Sequence, residues 1–375
     1  MKDHTPTAVI TGLGSCLPPQ VLSNEDVARR GGLETTDEWV RTRTGIAHRR
    51  QVRAGTSTGD LATAAGRAAM ASADARADLV LVATTTPDRR CPATAPEVAH
   101  RLGLGTVPAF DLSAVCSGFL YGLTVATALI RSGVCASPLV IGAETYSTIV
   151  DPMDRDTALI FGDGAGAVLL GPGEHGEPGA VSAVDLGADG SGSDLIAIAA
   201  GGSRAPDTAR RLARDARYFR MRGREVYAQA VQRMTQSSRT VLAHAGWEAA
   251  GLGAFIGHQA NQRILDSVAE RIGVPPRSRF GNIREVGNTA AASIPLALAH
   301  TVAGRLVPPG SRSLLTAFGG GLTWGSVALL WPSAVPCTAD PESRPTSAPT
   351  GYTTEHTAEQ TASRRKPCRP STTTS

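Results

Sequence analysis

Residues 111–133 read DLSAVCSGFLYGLTVATALIRSG. The polar turn Asp111-Leu112-Ser113 opens onto a run from Ser117 to Ile130 that is apolar or small on almost every face. A helix apolar all round is a buried one. Cys116 stands where that helix should begin, so its sulfur would meet unpaired N–H groups and the positive end of the helix dipole. Both lower a thiol pKa and favour a nucleophilic thiolate. A lone cysteine in an apolar run is more often inert core, so a nucleophile needs partners elsewhere in the chain.

Two later stretches supply them. Phe255-Ile256-Gly257-His258-Gln259-Ala260-Asn261 is an apolar strand end running into a histidine, followed by a helix over 262–272. Val286-Gly287-Asn288-Thr289 is a glycine turn that opens a second apolar helix, AAASIPLALAHTVAG. In order and surroundings, Cys116, His258 and Asn288 match the triad of condensing enzymes of the thiolase superfamily. The chain resembles beta-ketoacyl-acyl-carrier-protein synthase III over about residues 5–333. The resemblance is carried by TTDEWVRTRTGI (35–46), the Cys116 helix, DRDTALIFGDGAGAVLL (154–170), GHQANQRI (257–264), GNTAAASIPLAL (287–298) and FGGGLTWGS (318–326).

The resemblance implies an α/β protein with the thiolase-like five-layered α-β-α-β-α fold, built from two pseudo-repeated halves. An internal echo agrees: FGDGAGAVLL (161–170) returns as FGGGLTWGSVALL (318–330), and each catalytic turn precedes an apolar helix. The expected division is residues 1–173 with the nucleophile, 174–333 with the histidine and asparagine, and 334–375 as a tail. That tail is rich in Pro, Thr and Ser and too poor in apolar residues to fold, so it reads as disordered.

Further roles follow from the resemblance. Cys116 and Gly320 would supply the oxyanion-hole amides. Thr35, Trp39, Arg43, Arg155, Gly223 and Asn261 would hold coenzyme A, with the indole and a guanidinium stacking on its adenine. Cys91 would come from the partner subunit of a homodimer to close the acyl pocket; it stands where the family has a large aromatic, which implies a roomier pocket. Ala228 replaces the lysine that meets the acyl carrier protein, leaving Arg263 and Arg271 as docking candidates. Gly257 stands where the family often has proline.

Composition narrows the classes. The chain has 375 residues, 42% hydrophobic content and a net charge of +4. So modest a charge argues against a nucleic-acid partner and suits an acidic protein or a phosphate-bearing substrate. An arginine-rich run over 203–224 reads as a solvated helix face or as part of the tunnel mouth. Six cysteines without metal spacing imply neither a disulfide framework nor a metal site. The amino terminus lacks the apolar core of a signal peptide, and no stretch is long enough to span a bilayer. A cytoplasmic protein without a membrane partner is expected, with acyl-CoA as substrate and no permanently bound cofactor.

The implied reaction is decarboxylative condensation of an acyl-CoA starter with malonyl-acyl carrier protein. It primes fatty-acid synthesis or, on the strength of Cys91, Ala228 and the tail, a polyketide or other specialised product. Loss of carbon dioxide makes the carbanion without removing a C–H proton. A thiolase needs a second cysteine in the final glycine-rich loop for that proton, and FGGGLTWGS has none. Asn288 in place of a second histidine favours the priming class. The alternative within the fold is an acyltransferase that passes the acyl group on without condensing it. A papain-like hydrolase lacks its local signatures here, and a chain-length partner subunit would normally have lost the nucleophile.

Overall fold

The apolar runs of the first half form strands β1 (Thr7–Cys16), β2 (Leu79–Ala83), β3 (Ala109–Leu112), β4 (Pro138–Thr145) and β5 (Asp163–Gly173). Those of the second half form β6 (Val181–Ala188), β7 (Ala254–Gly257), β8 (Arg312–Gly319) and β9 (Thr323–Leu330), and β10 (Cys337–Ala339) follows. The computed structural model describes residues 6–206 and 213–341. One sheet runs β10-β1-β5-β4-β2-β3 and the other β7-β8-β9-β6. β2 and β4 are buried at every position, as sheets covered on both faces require.

Among the helices of the described residues are α1 (Asp37–Thr44), α2 (Thr58–Ala73), α3 (Gly118–Arg131), α4 (Gly223–Ala245), α5 (Gln262–Ile272) and α6 (Ser293–Ala303). α3 and α6 touch strands of both sheets and form the middle layer. α2 lies outside the first sheet; α4 lies outside the second, with α5 packed on it. The result is the five-layered α-β-α-β-α arrangement of the thiolase fold. One core cluster joins Leu81, Val140 and Val168 of the first sheet, Phe119, Leu120 and Leu298 of the middle helices, and Leu315 and Val327 of the second sheet.

The first strand runs through Gly12 and Gly14 to Cys16. A Cβ at Gly12 would fall 2.2 Å from Ala69 O, and one at Gly14 2.1 Å from Ala65 O. These glycines let α2 approach the strand. Within the expected tail, β10 pairs in parallel with β1, and Ser72 Oγ donates to Val335 O at 2.6 Å. Cys337 is buried there, a use of sequence that the polar composition concealed. Residues 342–375 and 207–212, the latter within the arginine-rich run, lie outside the described residues.

Candidate active site

Cys116 sits in a 3₁₀ turn, Val115–Ser117, immediately before α3. Val115 takes φ 48°, the left-handed region that a β-branched residue avoids. Such strain costs about 1–3 kcal/mol and persists only where the surroundings enforce it. Here the enforcement comes from the glycine loop after β8. A Cβ on Gly319 would lie 2.8 Å from Cys116 N and 3.1 Å from Ser117 N, so no larger residue fits without moving backbone. Thr323 Oγ1 bonds Ala114 O and Gly320 O, each at 3.0 Å, and lies 2.8 Å from Ser117 Oγ. Gly320 is thereby held next to the nucleophile turn.

The thiol of Cys116 is buried, and its pKa is pushed up, not down. Desolvation is the largest cause and the Glu144 charge the second, opposed by the residue's own backbone N–H. The helix N-terminus is where the sequence puts it, but burial outweighs it. Cys116 therefore rests as a neutral thiol.

His258 follows β7 directly, its N–H donating to Thr316 O at 2.8 Å. Burial depresses its pKa to about 3, so the imidazole is neutral at physiological pH. Its Nδ1 lies 2.6 Å from Ser293 Oγ, the first residue of α6. That oxygen also accepts the Gln259 N–H at 3.3 Å. In the tautomer where the serine donates to Nδ1, the imidazole hydrogen is on Nε2 and that nitrogen is a donor. Asn288 is buried, and its Oδ1 accepts the Ala290 N–H at 2.9 Å. This fixes the amide with Nδ2 as the available donor. The Asn288 backbone is bonded on both sides, to Ile160 O and from Gly162 N–H.

Packing brings these pieces together. Cys116 shares a buried cluster with Ala290, Phe161, Tyr146 and Phe219. Tyr146 stacks on Phe161 at 4.6 Å between ring centroids, and Phe219 meets both edge-on. An aromatic wall therefore stands beside the sulfur, on residues that the sequence did not single out. The apolar runs of β4 and β5 give no signal for it, because the three rings come from separate segments outside those strands.

Four of the coenzyme A candidates, Trp39, Arg43, Arg155 and Asn261, lie together. Arg43 and Arg155 lie over the Trp39 ring at 4.4 and 4.2 Å from its centroid. Asn261 caps α5 and donates from Nδ2 to Arg43 O at 3.0 Å. Thr35 Oγ1 is buried without a partner among the described residues. Gly223 opens α4 and is exposed, without a direct contact to that stack. Arg220 pairs with Asp151 and Asp154 at 2.9 and 2.6 Å, next in sequence to Arg155. Arg263 and Arg271 are exposed on α5, as docking candidates must be. Cys91 is exposed and stands apart from the Cys116 cluster of its own chain. No cluster of metal-ligating side chains occurs among the described residues.

A buried thiol at a central helix, an oriented imidazole and an oriented carboxamide in a thiolase-like fold define a condensing acyltransferase. The chain belongs to the beta-ketoacyl-[acyl-carrier-protein] synthase III family. The model of the 3-oxoacyl-[acyl-carrier-protein] synthase III C terminal matches residues 242–331, and that of 3-oxoacyl-[acyl-carrier-protein] synthase III matches residues 110–190. Beta-ketoacyl-[acyl-carrier-protein] synthase III 2 of Streptomyces coelicolor is 57% identical over 88% of this chain and 95% of its own. The crystal structure of the Pseudomonas aeruginosa PAO1 synthase III superposes with a TM-score of 0.81 at 48% identity, covering 88% of this chain and 100% of that one. The priming beta-ketosynthase from the R1128 polyketide biosynthetic pathway reaches the same TM-score at 34% identity, covering 87% and 96%. The chain is thus a condensing enzyme of the kind that primes fatty-acid synthesis.

Proposed function

We propose that the chain condenses an acyl-CoA starter with malonyl-acyl carrier protein to open a polyketide or other specialised acyl chain. The observation that carries the mechanism is the pair of oriented donors, His258 Nε2–H and Asn288 Nδ2–H, set by Ser293 and by the Ala290 N–H. Cys116 Sγ attacks the acyl thioester carbonyl, the coenzyme A thiolate leaves, and the cysteine proton leaves with it. The N–H groups of Cys116 and Gly320 hold the oxyanion, and one such donor contributes roughly 3 kcal/mol. Malonyl thioester then loses carbon dioxide, and the enolate oxygen takes the hydrogen bonds of His258 and Asn288. The carbanion attacks the acyl-Cys116 carbonyl, the C–C bond forms, the C–S bond breaks, and the thiolate is reprotonated.

Starter entry would run past Trp39, where two guanidiniums flank one indole and neither is paired with a carboxylate among the described residues. Such a site suits a planar base carrying phosphates. Thr35, Gly223 and Asn261 frame that mouth, and Arg263 and Arg271 offer positive charge to an acidic carrier protein. A homodimer would form along β3, the outer strand of its sheet. Phe110 is 37% exposed there, and residues 87–93, including Cys91, are all exposed beside it. The partner's copy of that segment would close the acyl pocket.

The leaning towards a specialised product rests on Cys91, Ala228 and the likeness to the R1128 priming enzyme. A cytoplasmic setting agrees with the free thiols of Cys16, Cys91, Cys116 and Cys135. The test is single turnover. Acyl-enzyme mixed with malonyl-carrier protein should release one carbon dioxide per 3-ketoacyl product, and transfer of the acyl group unchanged would establish the acyltransferase reading instead. Starter preference among acyl-CoA thioesters decides the pathway: branched or unusual starters support a specialised role, and acetyl alone overturns it.

A further inference from the structure

Gln259 follows His258 directly and is fully buried. Its side-chain Nε2 turns back to donate to Gly257 O at 2.6 Å, and its Oε1 accepts the N–H groups of Asn282 at 3.0 Å and Ile283 at 3.1 Å. Its own backbone N–H donates at 3.3 Å to Ser293 Oγ, the atom that lies 2.6 Å from His258 Nδ1. Gly281 packs straight onto the amide, since a Cβ there would fall 2.2 Å from Gln259 Oε1. These bonds reach both ways. Gly257 has no side chain to restrict the backbone just before His258, and the amide holds that carbonyl from the residue just after it. Asn282 and Ile283 stand at the start of the short helix Ile283–Val286, which is closed by Gly287 N–H on Ile283 O at 2.9 Å, and Asn288 follows.

A buried amide that spends its acceptor and a donor on backbone groups of two segments locks those segments together, because breaking any bond leaves an unpaired polar group out of water. Both lone pairs of Oε1 are taken, so the residue acts through its neighbours. We propose that Gln259 is a positioning residue: it fixes the strand end carrying His258 against the segment leading to Asn288, and so sets the spacing of the two donors offered to the enolate oxygen. This deepens the condensing-enzyme reading and rests on it. Cys116 lies outside these bonds, its turn being held by Gly319 and Thr323. Loss of the amide should therefore separate the two half-reactions.

The test measures acylation of Cys116 by acyl-CoA and carbon dioxide release from malonyl-carrier protein as separate rates. Gln259→Met keeps a side chain of similar volume and removes its hydrogen bonds. It should acylate within about twofold of wild type while carbon dioxide release slows by about 10–100-fold, the scale of a misplacement of about 1 Å. kcat should fall with the KM for malonyl-carrier protein unchanged. Equal loss of both rates, or loss of neither, in a protein that melts like wild type overturns the proposal. If Gln259→Met does not fold, Gly281→Ala presses a methyl group onto Oε1 from outside and should give the same split; rates that stay together there overturn the proposal equally. Wild type tests the reading underneath. If its acyl-enzyme releases no carbon dioxide, the condensing-enzyme reading fails and the proposal with it; if wild type and both variants condense equally well, the positioning role alone fails.

Discussion

Val115 and Ala290 both take a left-handed backbone, φ 48° and 45°, and each begins a 3₁₀ turn that leads into a central helix. Aligned on that turn, Cys116 corresponds to Ala291 and Gly118 to Ser293. The backbone is the same device used twice, and the side chains divide the labour. The first turn presents a sulfur. The second presents none; it offers Asn288 just before the turn and a serine at the helix start that orients His258. In the first turn that helix position is Gly118, where a Cβ would lie 3.2 Å from Ala83 Cβ and 3.8 Å from Ala291 Cβ. The two helix starts come that close because one of them gives up its side chain. On the proposed mechanism, a duplicated fold would place covalent capture on one turn and enolate stabilisation on the other.

That division can be broken most severely at Cys116. Cys116→Ala should abolish the acyl-enzyme and cut overall turnover by at least about 10⁴-fold, seen by intact mass and product assay; any acyl mass on the variant would end the distinction between the turns. Next in size are His258→Ala and Asn288→Ala. Each should still acylate at Cys116 while the condensation step falls by about 10²–10³-fold, as rapid-quench kinetics would show. Equal loss of both half-reactions would mean that the second turn also serves capture.

Ser293→Ala should cost the second half-reaction about tenfold, the loss of one buried hydrogen bond and of the fixed tautomer, with acylation unchanged. The smallest effect concerns stability against pH. His258 is held neutral with a pKa near 3 against 6.5 in the unfolded chain. Below 6.5 the unfolded state binds the extra proton, so stability is lost as pH falls towards 3. Glu144 has the opposite sign: raised from 4.5 to about 7, it contributes fully below 4.5 and its contribution is lost as pH rises through 7. Between 4.5 and 6.5 the two oppose each other, and a melting curve should be flat there. His258→Gln should remove the acid-side loss, leaving the Glu144 decline exposed in a thermal-shift series.

The elements that carry Cys116, His258 and Asn288 were legible in the sequence because they are long, apolar and punctuated by glycine, features that local physics imposes. The doubled fold was legible for the same reason, through FGDGAGAVLL and FGGGLTWGSVALL. Other features depend on contacts between distant segments. The thiol pKa is decided by burial and by Glu144, 28 residues away in sequence, which no helix-dipole argument contains. Nothing local to Gly12 and Gly14 signals that α2 lies against them. β10 hides in a polar segment because pairing with β1 uses backbone groups, which composition does not record. Ser293 left a faint sign, as the one polar residue in AAASIPLAL, and Glu144 another, as the lone acid closing an apolar strand.

The most direct measurement is the intact mass of wild type and Cys116→Ala after exposure to a panel of acyl-CoA thioesters, and again after malonyl-carrier protein is added. The expected result is one acyl adduct on wild type alone, which disappears on the second addition as carbon dioxide and a 3-ketoacyl-carrier product appear. An adduct on the Cys116→Ala protein, or an acyl group that leaves without carbon dioxide, would contradict it.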